Sequence, residues 1–498
     1  LIQKFCELDR KLMELAKIRI QHMLSGSLDT TYTPSYTPSK GSELGIVLRE
    51  ARKTRAHMPI RKLFEQAPNV VVKLKPCLMM SPLTVAQFLN PELIKFDLVI
   101  FDEASQIPPE DSIGSILRGK QVVIAGDSKQ LPPTTFFQSE VITPEDEEGI
   151  AEEMLPQDLD SILDECAVSG IAKTMLRWHY RSKHESLIAF SNKHFYNNHL
   201  FTFPCAEEEC SSLGIKFHYL PNTSYDRGGS GTNIEEAREV VRAVLKHFKE
   251  NPELSLGVGT FSIRQKYAIE DVIEEILRED STLEVFFAKD KPEHFFVKNL
   301  ETIQGDERDV IFISVGYGKD QRGKLPMNFG PINQVGGARR LNVLVTRARK
   351  RLEIFSSIKG DDFDLSKTDS DGVSLLKHYL DFAEKGKSSL LRETDAVGLA
   401  ESPFEESVCD LLLSKGFKVS KQVGCSGFRI DLAVVDDSNP GKYLLGIECD
   451  GAYYHSSSTA RDRDRLRQQV LEDLNWNIYR VWSTDWFKNP RLEFENQI

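Results

Sequence analysis

No stretch of this 498-residue chain approaches the roughly 18 consecutive apolar residues of a membrane-spanning helix, so no membrane partner is expected. The first residues, Leu-Ile-Gln-Lys-Phe, lack the charged-then-apolar pattern of a signal peptide. An initiator Met is also missing, and the chain is expected to begin inside a longer protein. Paired cysteine spacing is absent: of eight cysteines, Cys205 and Cys210 lie nearest together, with no matching Cys or His pair in their segment. Zinc is therefore not expected, and reduced thiols fit a cytoplasmic, bacterial protein. Basic excess is lacking too. A net charge of −12 excludes a uniformly basic surface but leaves room for a local nucleic-acid groove.

What is present describes globular material: 40% hydrophobic and 28% charged residues, long enough for about three domains. Residues 1–24 read as a helix with Ile2, Phe5, Leu8, Leu12 and Leu15 on one stripe. A Ser/Thr/Pro-rich segment follows at 25–42. Short apolar runs at Leu98–Phe101, Val122–Ala125, Leu256–Thr260, Val310–Val315 and Leu352–Ser356 alternate with helical stretches, which predicts an α/β protein with parallel sheets covered by helices. A polar stretch at Lys385–Glu401 precedes a final unit with its own strand pattern.

The first chemical signal is Leu98-Val-Ile-Phe-Asp102-Glu103-Ala-Ser-Gln106. An apolar strand delivering two acids suits a nucleotide site: Asp102 can hold Mg²⁺ and Glu103 can orient the attacking water. The next strand runs into Gly126-Asp-Ser-Lys-Gln130-Leu-Pro-Pro133, where Gln130 can sense a γ-phosphate; a Pro-stabilised turn is the alternative.

These two segments resemble motifs II and III of superfamily 1 helicases, in the branch of the nonsense-mediated-decay and senataxin-type enzymes. Further segments follow in that family's order. They are Leu176-Arg-Trp-His-Tyr180-Arg181, Leu256-Gly-Val-Gly-Thr260 with Gln265, Glu301-Thr-Ile-Gln304-Gly305-Asp-Glu307-Arg-Asp309, and Arg340-Leu-Asn-Val-Leu-Val-Thr346-Arg347-Ala348-Arg349. The resemblance implies ATP as cofactor, with Arg181 and Arg347 completing the phosphate site. It places Tyr180 on adenine, Glu307 at the ribose or a domain interface, and Gln304, Gly305 and Thr260 near nucleotide or strand. It implies tandem RecA-like domains, an incomplete first one over 1–160 and a complete second over 161–395. A Gly-rich phosphate loop with Lys-Ser/Thr is missing. The near miss Gly114-Ser-Ile-Leu-Arg-Gly119-Lys120 has Gln121 where Ser/Thr is required and precedes a strand instead of following one. The loop is expected upstream of residue 1, and this chain by itself is expected to bind ATP poorly.

Residues 396–498 carry a different chemistry. Ser402-Pro-Phe-Glu405 opens a helix; Phe428-Arg-Ile-Asp431 and Leu444-Leu-Gly-Ile-Glu448-Cys-Asp450 are apolar strands that each deliver acids, with His455 beyond. Carboxylates on neighbouring strands can share a divalent metal. This segment resembles the restriction-endonuclease-like fold in its very-short-patch-repair branch, a small α/β domain. The resemblance implies Glu405, Asp431, Glu448, Asp450 and His455 as site residues and Mg²⁺ or Mn²⁺ as metal on Asp431 and Glu448. Asp450 stands where the wider fold has Lys. Alternatives stand beside each: Glu405 sits at capping-box spacing from Ser402, and Arg429 or Arg463 could pair the strand acids. The expected partner is nucleic acid, DNA ahead of RNA. Three functions compete: a motor delivering a DNA nuclease, in genome maintenance or phage defence; a motor tethered by an inactive nuclease fold; or an RNA remodeller.

Overall fold

The computed structural model describes residues 2–27, 39, 41–133, 161–207, 212–288, 292–390, 402–426, 428–439, 441–450, 465–490 and 494. These form two compact units, one built on residues up to Ser128 with Pro132, Pro133 and Ser161–Lys173, the other on Lys129–Leu131 and Thr174 onward. No described helix is long and apolar enough to cross a membrane.

In the first unit the expected N-terminal helix forms over Ile2–Ser27, yet Leu8, Leu12 and Leu15 on its stripe are exposed. Spacing fixed the helix without fixing a partner for its apolar face. Strands β1 (Phe96–Phe101) and β2 (Gly119–Ile124) pair in parallel, Leu98 beside Gln121 and Phe101 beside Ile124. Parallel strands are normally covered on both faces, but here Ile100 is 62% exposed and Val123 47%. The near-miss loop is a helix-to-strand turn. Gly114 lies in the helix Pro109–Ile116 and Gly119 opens β2. Between them the buried Arg118 donates to the carbonyl of Leu89 at 2.6 Å.

The second unit holds two sheets. The larger has five parallel strands in the order β3-β7-β6-β4-β5: β3 Gly214–Tyr219, β4 Leu256–Thr260, β5 Phe296–Asn299, β6 Arg308–Ser314 and β7 Ala348–Ser356. Its central strands read as unbroken apolar runs because both faces are covered. Val310 and Phe312 point to the helices Ile234–Glu250 and Ile263–Glu279. Ile311 and Ile313 point to the core shared with the helices Gly337–Val345 and Asp371–Lys385. The smaller sheet is mixed, ordered β11-β10-β9-β8, with β8 Val419–Ser426, β9 Phe428–Val435, β10 Tyr443–Asp450 and β11 Ile478–Trp482. The helix Pro403–Ser414 packs on it through Phe404, Val408 and Leu412.

Candidate nucleotide and metal sites

In the first unit β1 ends at Phe101 and releases Asp102 and Glu103 to the surface. Glu103 adopts φ 52°, a left-handed conformation that a side chain disfavours. Its amide donates to Asp102 Oδ1 at 3.0 Å, which orients the first acid. The ladder carries on past both strands, with the Ala104 amide donating to the Ala125 carbonyl at 2.9 Å. The acid pair and the Gly126 turn are thereby tied together.

The remaining nucleotide-motif residues pack in the second unit. Leu131 lies in the core of the five-stranded sheet, and the Lys129 carbonyl accepts from Asn342 Nδ2 at 2.9 Å. Gln130 between them is half-buried. Tyr180 is 70% exposed, so its ring is not a core residue. Arg181 pairs with Glu307, Nε to Oε2 at 3.1 Å, and Glu307 also faces Arg349 at 3.6 Å. Arg349 reaches Asp309 at 3.2 Å and Glu293 at 2.5 Å; the hydrogen bond from Arg349 holds the Glu293 carboxyl down at about 2. This cluster sits where β6 and β7 begin. Sequence reading placed Arg349 only as the end of a motif, and its hub role depends on which strands are neighbours.

Arg347 is placed differently. It is buried, with Nε donating to the Val343 carbonyl at 2.7 Å and its guanidinium on Thr346 Oγ1 at 3.2 Å. Arg340 is also buried, donating to Glu301 at 2.6 Å. Thr260 and Gln265 are fully buried, and the Thr260 hydroxyl donates to the Ser262 carbonyl at 2.8 Å. Gly305 turns at φ 84° with open space around it, while the neighbouring Gln304 has a buried Nε2 without a hydrogen-bond partner among the described residues.

In the small sheet, register does what sequence spacing could not. β9 and β10 run antiparallel with Ile447 opposite Leu432, which sets Glu448 opposite Asp431 on one face. β11 lies parallel with Arg480 beside Glu448. On the other flank, Lys421 and Val423 oppose Leu432 and Ile430, bringing Gln422 beside Asp431. One row thus crosses all four strands: Gln422, Asp431, Glu448, Arg480.

Glu405 comes to this row from the helix. Ser402 Oγ lies 3.0 Å from its Oε1 and accepts from its amide at 3.3 Å, so the cap is real. Its Oε2 meanwhile accepts from Gln422 Nε2 at 3.0 Å, so the cap and the site coexist. Asp431 Oδ2 accepts the Cys449 amide at 2.8 Å. Burial, then the charges of Glu405, Glu448 and Asp450, push the Asp431 carboxyl up to about 7 against that hydrogen bond. Glu448 pairs with Arg480 at 3.0 Å, both side chains nearly buried. Its Oε1 is buried without a hydrogen-bond partner among the described residues. Arg429 is exposed, so the partner of a strand acid is Arg480 instead. His455 and Arg463 lie outside the described residues. Among the described residues no group of three His, Cys, Asp or Glu side chains is arranged to hold a metal. The donors are nonetheless hard oxygen atoms in excess over cations, which is the chemistry Mg²⁺ and Mn²⁺ select.

Three family profiles match the chain: AAA domains at residues 81–138 and 159–359, and REase_MTES_1575 at 404–497. An uncharacterized ATP-dependent helicase (MG140 homolog) of Mycoplasma pneumoniae is 29% identical over 499 residues, covering 95% of this chain and 42% of that protein. The probable helicase senataxin of Mus musculus is 24% identical over 53% of this chain and 10% of its own length. A regulator of nonsense transcripts 1 homolog of Drosophila melanogaster is 24% identical over 51% of this chain and 20% of its own. The chain spans less than half the length of each of these relatives. The chain is thus similar to ATP-dependent helicases, senataxin and a nonsense-transcript regulator among them, and its residues 404–497 match a restriction-endonuclease-type profile.

Proposed function

We propose that the chain is part of an ATP-driven DNA translocase bearing a metal-dependent nuclease. Residues 1–160 supply an incomplete first RecA-like domain, 161–395 a complete second one, and 396–498 the nuclease. The bare apolar strands β1 and β2 support the first assignment, since two parallel strands do not make a stable sheet. The motor reading rests chiefly on the convergence of Arg181, Glu307 and Arg349, which come from three separate motifs. In the first unit Asp102 would hold the Mg²⁺ that accompanies ATP and Glu103 would orient water; in the second, Gln130 would sense a γ-phosphate and Tyr180 would stack on a base. Arg181 leaves Glu307 to meet the charge that develops on the transferred phosphoryl group, and Arg347 supports it from the start of β7. In the full-length protein, Arg181→Ala is expected to lower nucleic-acid-stimulated ATP hydrolysis on the order of 10³-fold, as loss of an arginine finger does. Wild-type turnover in that variant would remove the motor assignment of this segment.

In the nuclease, Asp431 and Glu448 would hold Mg²⁺ or Mn²⁺, which would supply an activated water and charge neutralisation for the phosphate. Glu405 and Gln422 fix the row from one side and Arg480 from the other, while Asp450 and His455 flank it. The Glu448–Arg480 pair favours a second reading, a DNA-docking domain whose cation replaces the metal. The relatives leave DNA and RNA equally open; the repair-type tail favours DNA.

A further inference from the structure

Trp178, Phe203 and Ala206 belong to the motor by sequence, yet they pack in the core of the nuclease-like domain. Phe201 pairs with the arm that ends in Tyr180 and Arg181. The His179 amide donates to the Phe201 carbonyl at 3.0 Å, and the Phe201 amide to the Arg177 carbonyl at 2.7 Å. Two residues on, the buried Phe203 stands between Trp178, at 5.5 Å between ring centres, and Phe428 of β9, at 5.3 Å. Pro204 gives its carbonyl to the indole of buried Trp476 at 2.9 Å. Ala206 accepts the amide of Tyr443, the first residue of β10, at 2.9 Å. Backbone pairing, ring packing and a buried indole bond therefore run without a break from the Tyr180–Arg181 arm to the strand that carries Glu448.

We infer that the nuclease-like domain positions the nucleotide-binding arm of the motor, with Phe203 as the positioning residue. On the motor side the arm is held by the Lys183 amide on the Arg349 carbonyl at 2.7 Å and by the His179–Ser182 hydrogen bond at 2.8 Å, while Leu176 and Tyr180 are exposed and the Arg181–Glu307 pair is a partly solvated one of small worth. An arginine that must meet a transition state tolerates little misplacement, since a shift of about 1 Å can cost a hundredfold. Anchoring on a packed core supplies the rigidity that a loop lacks. The same connection runs both ways: a nucleotide that orders the arm also orders the start of β10.

This inference rests on the reading of Tyr180 and Arg181 as nucleotide contacts, and one experiment separates the two. Amide hydrogen exchange is followed in the full-length wild-type protein with and without a non-hydrolysable ATP analogue. The expected result is slower exchange, about twofold or more, in peptides covering 177–181 and in those covering Tyr443. Protection at 177–181 with none at Tyr443 overturns the inference. No protection at 177–181 overturns the nucleotide reading itself. Kinetics give a second test: Phe203→Ala is expected to lower kcat for stimulated ATP hydrolysis about tenfold, and Phe203→Leu, which refills most of the space, to restore it to within about twofold. A folded Phe203→Ala protein with wild-type kcat, beside an impaired Arg181→Ala protein, overturns the inference.

Discussion

Glu236 and Glu293 show how little residue type decides by itself. Glu293 lies beside Arg349 and titrates near 2. Glu236 is fully buried, with Oε1 accepting from Ser314 Oγ and the Gly316 amide, both at 2.7 Å. All its hydrogen-bond partners are neutral, and burial pushes its carboxyl from 4.5 up to about 7. The folded state therefore holds a proton that the unfolded chain releases at lower pH. The stability this group contributes is full below pH 4.5 and is lost as pH rises through 7. Glu236→Gln keeps an acceptor in place and removes the titration. The difference in melting temperature between pH 5 and pH 8 is expected to shrink in that variant; an unchanged difference would mean that Glu236 is ionised throughout.

Elements were more legible than their partners. The five apolar runs read from the sequence all fall on strands; β4 and β6 are apolar because both their faces are covered, whereas β1 and β2 leave Ile100 and Val123 exposed. The edge strand β3 was not read, although Ile215-Lys-Phe217-His-Tyr219 alternates apolar with polar residues as a strand at a sheet margin does. The N-terminal helix was legible from its period, but the exposure of its stripe was not, since periodicity names a face without naming what covers it. Arg480 was hidden for a related reason: its pairing with Glu448 depends on strand order and register, which no local pattern encodes. The same holds for Phe203, a motor residue that packs on another domain. Glycine in β4 has a visible cause only in the fold. A Cβ on Gly259 would lie 2.5 Å from Leu344 Cδ1 and 3.2 Å from Ile303 Cδ1, so helix Gly337–Val345 approaches the sheet only over hydrogen. Gly259→Ala is expected to cost about 1–3 kcal/mol by overpacking. Adding Leu344→Val should recover part of that loss, a coupling between touching residues that a double-mutant cycle reads directly. Strict additivity, or a harmless Gly259→Ala, would contradict this packing.

At the scale of the molecule, the nuclease-like domain is joined to the second motor domain by a shared core of Phe203, Phe428 and Trp476. Under the proposed function, DNA moved by the motor meets a site held at a fixed place, and cutting is geared to translocation. The claim depends on whether the row of Asp431 and Glu448 works as a metal centre. Four carboxylates influence one another there, against the single guanidinium seen paired with Glu448, and that imbalance is what a divalent cation relieves. The direct measurement is cleavage of an end-labelled DNA duplex by the full-length protein, with ATP and with Mg²⁺ or Mn²⁺, for the wild type and for Asp431→Ala. Metal-dependent cutting that falls at least about 100-fold in Asp431→Ala is the predicted result. No cutting by the wild type in either metal would contradict it and leave the row as a buried charge network in a DNA-docking domain.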